Sequence, residues 1–217
     1  MVPHYVVPVV VPVVVPPKFE KTKQLEDQFK PAVFNKPEYR KPQKMLVVSE
    51  DSKYIFDYQN AIRADLTKDV KVVEKKLLKY ADREGMKYTI KQELNKIARN
   101  LRHRPLKPFL WDNGLALAAR DHCQDRLNSD DPTSPIGSDQ STTYDRIRRY
   151  GTAGWYRGES IFVREGRIEL MAIDGLLDKE RRNNVFRPDY HMTGIFSCQD
   201  ENRKLTVIMY SDSMKLN

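Results

Sequence analysis

Four histidines, two cysteines and a run of serines are the side chains of this 217-residue chain best suited to chemistry. Imidazoles bind metals and move protons near neutral pH. They stand at His4, His103, His122 and His191, and no two have the His-x-x-x-His spacing that places both rings on one helix face. Cys123 and Cys198 are too far apart in sequence to form a Cys-x-x-Cys unit. His103 sits among arginines, where a second positive charge is disfavoured. His122 lies in an alanine-rich stretch and is expected to support packing. Ser129, Ser134, Ser138 and Ser141 crowd one segment, but a nucleophile elbow needs Gly-x-Ser-x-Gly, which is absent. Serines in such a segment ordinarily stabilise turns. There is also no glycine-rich loop to cradle phosphates. These residues alone predict no metal site, no cofactor and no catalytic group.

The elements that would position them are partly legible. Ile55, Ile62, Leu66, Val70, Val73, Leu77 and Tyr80 recur at three- and four-residue steps, which predicts one amphipathic helix ended by Gly85. Ile90, Leu94, Ile97 and Leu101 predict a second over 89–101, stopped by Pro105 and Pro108. Asp112 is a natural N-cap for a third, since its short carboxylate can accept from free N–H groups of the first turn. The segment around 129–142 reads as loop, 143–150 as a short helix before Gly151, and 169–177 as a helix. The runs 192–199 and 204–212, split by a polar turn, predict two antiparallel strands. Helices followed by paired strands indicate an α+β fold.

The order of these pieces resembles the CAP superfamily (cysteine-rich secretory, antigen five and pathogenesis-related proteins), in its SCP-like branch. YQNAIRAD at 58–65 is similar to an opening Asn-x-x-Arg helix. PLKPFLWDNGLALAARDHCQD at 105–125, GSDQSTTYDRIRRYG at 137–151, GESI at 158–161 and the stretch 173–195 are similar to further motifs of that branch, in order. The resemblance covers roughly 160 residues. It implies an α/β/α sandwich with a central antiparallel sheet, and a cleft where two histidines and two acidic residues can hold zinc. This chain departs from the pattern at those positions. Pro135 stands where the branch has His-x-Gly-Ser-Asp, and Arg181 where it has Gly-His-Arg. Proline offers no ligand atom, and arginine stays protonated and repels a metal. Glu159 is kept, Ser160 replaces asparagine, and Asp174 stands near the second acidic position. The expectation is a degenerate cleft of Pro135, Glu159, Ser160, Asp174 and Arg181, with Glu159 paired to Arg181, no metal and no enzymatic activity. Lipid or sterol binding and hydrolysis are the alternatives the resemblance carries.

Outside it lies an extended arm over 1–48, preceding a domain over 49–217. Valines alternate with Pro8, Pro12 and Pro16, and proline lacks an N–H and pushes its predecessor to extended backbone. Tyr5, Phe19, Phe29, Phe34 and Tyr39 are the expected anchors of the arm on a partner. The apolar run is too short and too proline-broken to span a bilayer, and it lacks the basic start of a signal peptide. The net charge of +8 is carried by residues 1–50 (+3) and 51–104 (+6), while 105–217 sum to −1. A basic half predicts an acidic partner. Basic and acidic residues alternate along the helices and no nucleic-acid motif is present, so a protein surface is preferred over nucleic acid. The sparse cysteines favour a reducing compartment. The resulting expectation is a structural component of a large intracellular assembly, first a ciliary or axonemal microtubule scaffold touching tubulin, second a mitochondrial complex.

Overall fold

In the computed structural model, the residues described are 48–81, 84–101, 105–163, 174–201 and 203–216. The arm anchors Tyr5, Phe19, Phe29, Phe34 and Tyr39 lie outside them. The first helix, α1, runs over Glu50–Lys68 with Ser49 as its N-cap, and α2 over Val70–Leu78. The single helix expected from the apolar period is therefore two. Asp69 divides them: its backbone is extended, its N–H closes α1 on Asp65, and its side chain caps α2 by accepting from Lys71 N. The apolar spacing continues through the break because both helices present one face to the same core. Helix α3 spans Glu84–Leu101, so Gly85 lies in its first turn and does not end a helix.

A short strand β1 (Leu110–Trp111) leads into α4 (Asn113–Arg126), capped by Asp112 as its sequence position predicts. Then come α5 (Thr143–Arg148), β2 (Gly151–Ala153), β3 (Arg157–Val163), α6 (Lys179–Val185), β4 (Met192–Gln199), β5 (Lys204–Ser211) and β6 (Met214–Leu216). Residues 174–177 are also helical; the rest of the helix expected over 169–177 lies outside the described residues. Strands β4 and β5 pair antiparallel through their full lengths, from Met192 opposite Ser211 to Gln199 opposite Lys204. The sheet order is β1-β4-β5-β3, with β1 parallel to β4, so the sheet is mixed where an antiparallel one was implied. Strands β2 and β6 form a separate ribbon.

Alternate residues of a strand point to opposite faces. On β5, Leu205, Val207 and Met209 pack with α4 residues Leu115, Ala118 and Ala119, and with Ile147 of α5. Ile208 and Tyr210 pack on the other side with Ile55 and Ile62 of α1, Leu77 of α2 and Leu94 of α3. Two apolar cores, one on each face, make the fold a three-layer α+β sandwich. The contact of α4 with β4 is unusually close at Gly194, where a Cβ would lie 2.1 Å from Ala116 N. Cys123 of α4 and Cys198 of β4 are joined by a disulfide, tying the same helix to the same strand.

Two polar side chains of α1 complete the frame. Asn60 brackets Phe109, donating from Nδ2 to its carbonyl (3.1 Å) and accepting its N–H (2.7 Å). Arg63 is fully buried, donates to the carbonyls of Lys107, Val185 and Tyr190, and lies 3.7 Å over the Phe109 ring. Burial brings its pKa down to about 10, which leaves it charged at neutral pH. The Asn-x-x-Arg spacing thus puts both clamps on one helix face, where they fix the loop before β1.

Candidate cleft around Glu159

On β3, Glu159 and Ile161 face α4 and α5, whereas Ser160 and Phe162 face the α1 side. This parity decides what each predicted cleft residue meets. The Glu159 carboxylate receives three neighbours from the α4–α5 layer. His122 Nδ1 lies 2.6 Å from Oε1, Thr143 Oγ1 donates to Oε2 at 2.9 Å, and Arg146 NH2 donates to Oε1 and Oε2 at 3.2 and 3.0 Å. A carboxylate accepts only, so Nδ1 of His122 carries the proton. Its Nε2 is buried and has no hydrogen-bond partner among the described residues.

Arg146 is the hub of this cluster. It also donates to the carbonyls of Ser141 (2.7 Å) and Pro135 (2.9 Å), and its side chain is only 2% exposed. Burial pulls its pKa below the ordinary arginine value, and the adjacent Glu159 charge opposes that fall. A buried ion pair is tolerated only when its remaining donors and acceptors are met, and here carbonyls and hydroxyls meet most of them.

The expected pair of Glu159 with Arg181 does not form. Arg181 stacks over the Phe162 ring at 4.8 Å, on the opposite side of β3 from the Glu159 carboxylate, and its N–H is held by Asp178. It lines a groove of about 380 Å³ with Asp174, Phe162, Leu177 and Thr133. Ser160 accepts from Asn184 Nδ2 at 3.1 Å. The five predicted residues are therefore distributed: Pro135 and Glu159 meet through Arg146, Asp174 and Arg181 share a separate groove, and Ser160 faces α6. His122, Thr143 and Arg146 are the cluster residues that sequence reasoning did not assign to Glu159. Arg146 and Thr143 lie within the 137–151 motif, but only the facing direction of Glu159 connects them.

The residues do not fit a zinc ion. Pro135 brings a carbonyl already bonded to Arg146, Glu159 is neutralised by a guanidinium, and Arg181 is a cation. Among the described residues, no three of His, Cys, Asp and Glu gather as a ligand set. The serine loop likewise shows turn chemistry. Ser138 bonds Asp125, Ser134 accepts from Ile136 N, Ser129 accepts from Asp131 N, and Ser141 bonds Arg146. Asp139 accepts from Ser141 N and from Arg149; burial raises its pKa, but these bonds outweigh it and hold the carboxyl at about 2. Among the described residues, no helix is long and apolar enough to cross a membrane.

Three solved structures are similar to this chain in part. An outer surface protein from Borrelia burgdorferi is 15% identical, with a TM-score of 0.45, over 60% of this chain and 95% of its own. An extracellular protein containing a SCP domain from Bacillus anthracis is 18% identical, with a TM-score of 0.41, over 57% and 40%. A cysteine-rich secretory protein from Staphylococcus aureus is 11% identical, with a TM-score of 0.37, over 58% and 38%. No curated protein matches. The profile of the CAP family, described as the cysteine-rich secretory protein family, matches residues 56–210, and the chain belongs to that family.

Proposed function

We propose that this chain is a non-catalytic CAP protein, a structural and interaction component of a large intracellular assembly. The observation that carries the reading is the engagement of Glu159. A carboxylate serving as metal ligand or general base must face its substrate or ion with lone pairs to give. Both oxygens of Glu159 are bonded to Arg146, with His122 and Thr143 adding to them. Pro135 and Arg181 supply no replacement.

The assembly proposed first is a ciliary or axonemal microtubule scaffold, with the basic helical half facing an acidic surface such as that of tubulin and the arm over 1–48 as anchor; a mitochondrial complex is second. The charge distribution supports an acidic partner, since +6 is concentrated in 51–104. A second reading, a CAP protein working in an oxidising compartment and binding lipid or acting as a hydrolase, is favoured by the Cys123–Cys198 disulfide.

Tagged full-length protein and a copy lacking residues 1–45 are to be localised in the native cell after detergent extraction. The proposal expects the full-length protein on an insoluble structure and the truncation lost from it. Both forms soluble or secreted would remove the scaffold reading and favour the second.

A further inference from the structure

The turn between β2 and β3 holds Trp155 at 91% exposure, the most exposed large apolar side chain among the described residues. An indole left in water forgoes a large burial gain, so a fold that fixes one there needs a reason. The turn is firmly built. Gly154 N donates to Ser213 O (3.0 Å), Trp155 N to Asp212 Oδ2 (3.2 Å), and Asp212 N to Tyr156 O (3.0 Å). A Cβ at Gly154 would fall 2.1 Å from the Asp212 carboxylate, so any larger residue would displace the side chain that accepts from Trp155 N. The backbone beneath the indole therefore has little freedom to lose on binding.

The residues flanking this turn are aromatic and arginine-rich, with the carboxylates of Asp212 and Asp189 among them. Arg157 donates to Gly154 O at 2.9 Å and lies 4.2 Å over the half-exposed Tyr144 ring, which Arg148 approaches at 5.5 Å. On the other flank Arg187, already paired with Asp189 at 3.4 Å, covers half-exposed Tyr156 at 4.7 Å, and that carboxylate offsets part of its charge. Tryptophan, tyrosine and arginine on a rigid base are the residues that dominate protein–protein affinity. The guanidinium groups choose the sign of the partner. They also cover one face of each tyrosine, which withdraws those faces from the base stacking that single-stranded nucleic acid uses.

We propose that the Trp155–Tyr156 turn, with Tyr144, Arg148, Arg157 and Arg187, is a docking surface for an acidic protein segment carrying an apolar anchor. It rests on the interaction role proposed above and names where in the CAP domain that role is exercised.

The test uses the full chain and a fluorescein-labelled, glutamate-rich peptide carrying one leucine anchor, followed by anisotropy at low and raised salt. The expected result is saturable binding that weakens with salt, and a loss of about tenfold or more in Trp155→Ala and in Arg157→Glu. Both side chains are exposed, and unchanged thermal unfolding would show the variants folded. No binding to the peptide, or equal binding by both variants, overturns the proposal. Tighter binding of oligothymidylate through the same residues overturns the assignment to protein. Retention in detergent-extracted cells separates the two levels. If the parent protein is retained and Trp155→Ala equally so, this surface fails alone. If the parent protein is itself soluble, the interaction role fails with it.

Discussion

Glu159 is the residue on which the proposed function turns, and in the structure it is the counter-ion of buried Arg146. Arg146 beside it has a side chain only 2% exposed. Glu159→Ala would leave that guanidinium buried without its charge partner, an error that costs about 3–5 kcal/mol in comparable settings. Urea unfolding is expected to show a loss of that order, with Glu159→Gln falling between it and the parent. An unchanged midpoint would mean the ion pair contributes nothing. Gln140 makes a second case. It is the residue with positive φ, 64°, among the described non-glycines, and it lies in the GSDQS stretch that opens the 137–151 motif. The left-handed region costs an L side chain about 1–2 kcal/mol, and glycine gives part of that back as backbone entropy. Gln140→Gly is expected to raise stability by about 0.5–1 kcal/mol in the same assay; a loss would show that the Gln140 side chain holds the turn. The identity of Glu159 was legible in the sequence, its partners were not. They depend on the parity of β3, and one residue of slip would have sent the carboxylate towards Phe162 and Arg181.

Among the elements, the Asp112 cap and the strand alternation follow from local signals, whereas the Gly85 stop did not hold and the Asp69 break was masked by tertiary packing. The Asp112 cap and the alternation of β4 and β5 are local, and both appear in the structure. The break at Asp69 was hidden because Leu66, Val73 and Leu77 on either side of it keep the same buried face. Strand β3 carries Arg, Gly, Glu and Ser before its apolar half, so its sequence shows no strand period. The disulfide joins α4 to β4 across 75 residues; with two cysteines only one bridge is possible, but the spacing does not reveal whether it forms. Closing a loop of that length restricts the unfolded chain and is worth roughly 4 kcal/mol in the chain-entropy account. Replacing both cysteines by alanine is expected to lower unfolding stability by that order, and reductant should reproduce the loss in the parent protein. Equal stability with and without reductant would mean that the bridge contributes nothing in solution.

At the scale of the whole molecule, the sandwich places its chemistry unevenly. One layer, α1 to α3, holds 12 basic and 9 acidic residues over 50–101, a net +3, and carries the clamps of Asn60 and Arg63. The other, α4 and α5, closes over Glu159. Ion pairs such as Lys76 with Asp65 and Lys96 with Glu93 show that the basic helices present a mixed face, not a continuous cationic one. Under the proposed interaction role, that arrangement suits a shaped acidic protein surface better than a uniform polyanion, with the docking geometry left to exposed groups such as Trp155. The family and its layers were recognisable because five motifs in order record the packing of the frame. What the molecule binds was not, because exposure and facing direction are properties of the folded surface.

The most direct test of the proposal that this cleft has lost its metal chemistry is a calorimetric titration of zinc into the full-length protein at neutral pH. With Pro135, Arg181 and the Arg146–Glu159 pair in place, no saturable binding is expected. One-to-one binding by the parent protein that disappears in Glu159→Gln would contradict this and return the cleft to metal chemistry.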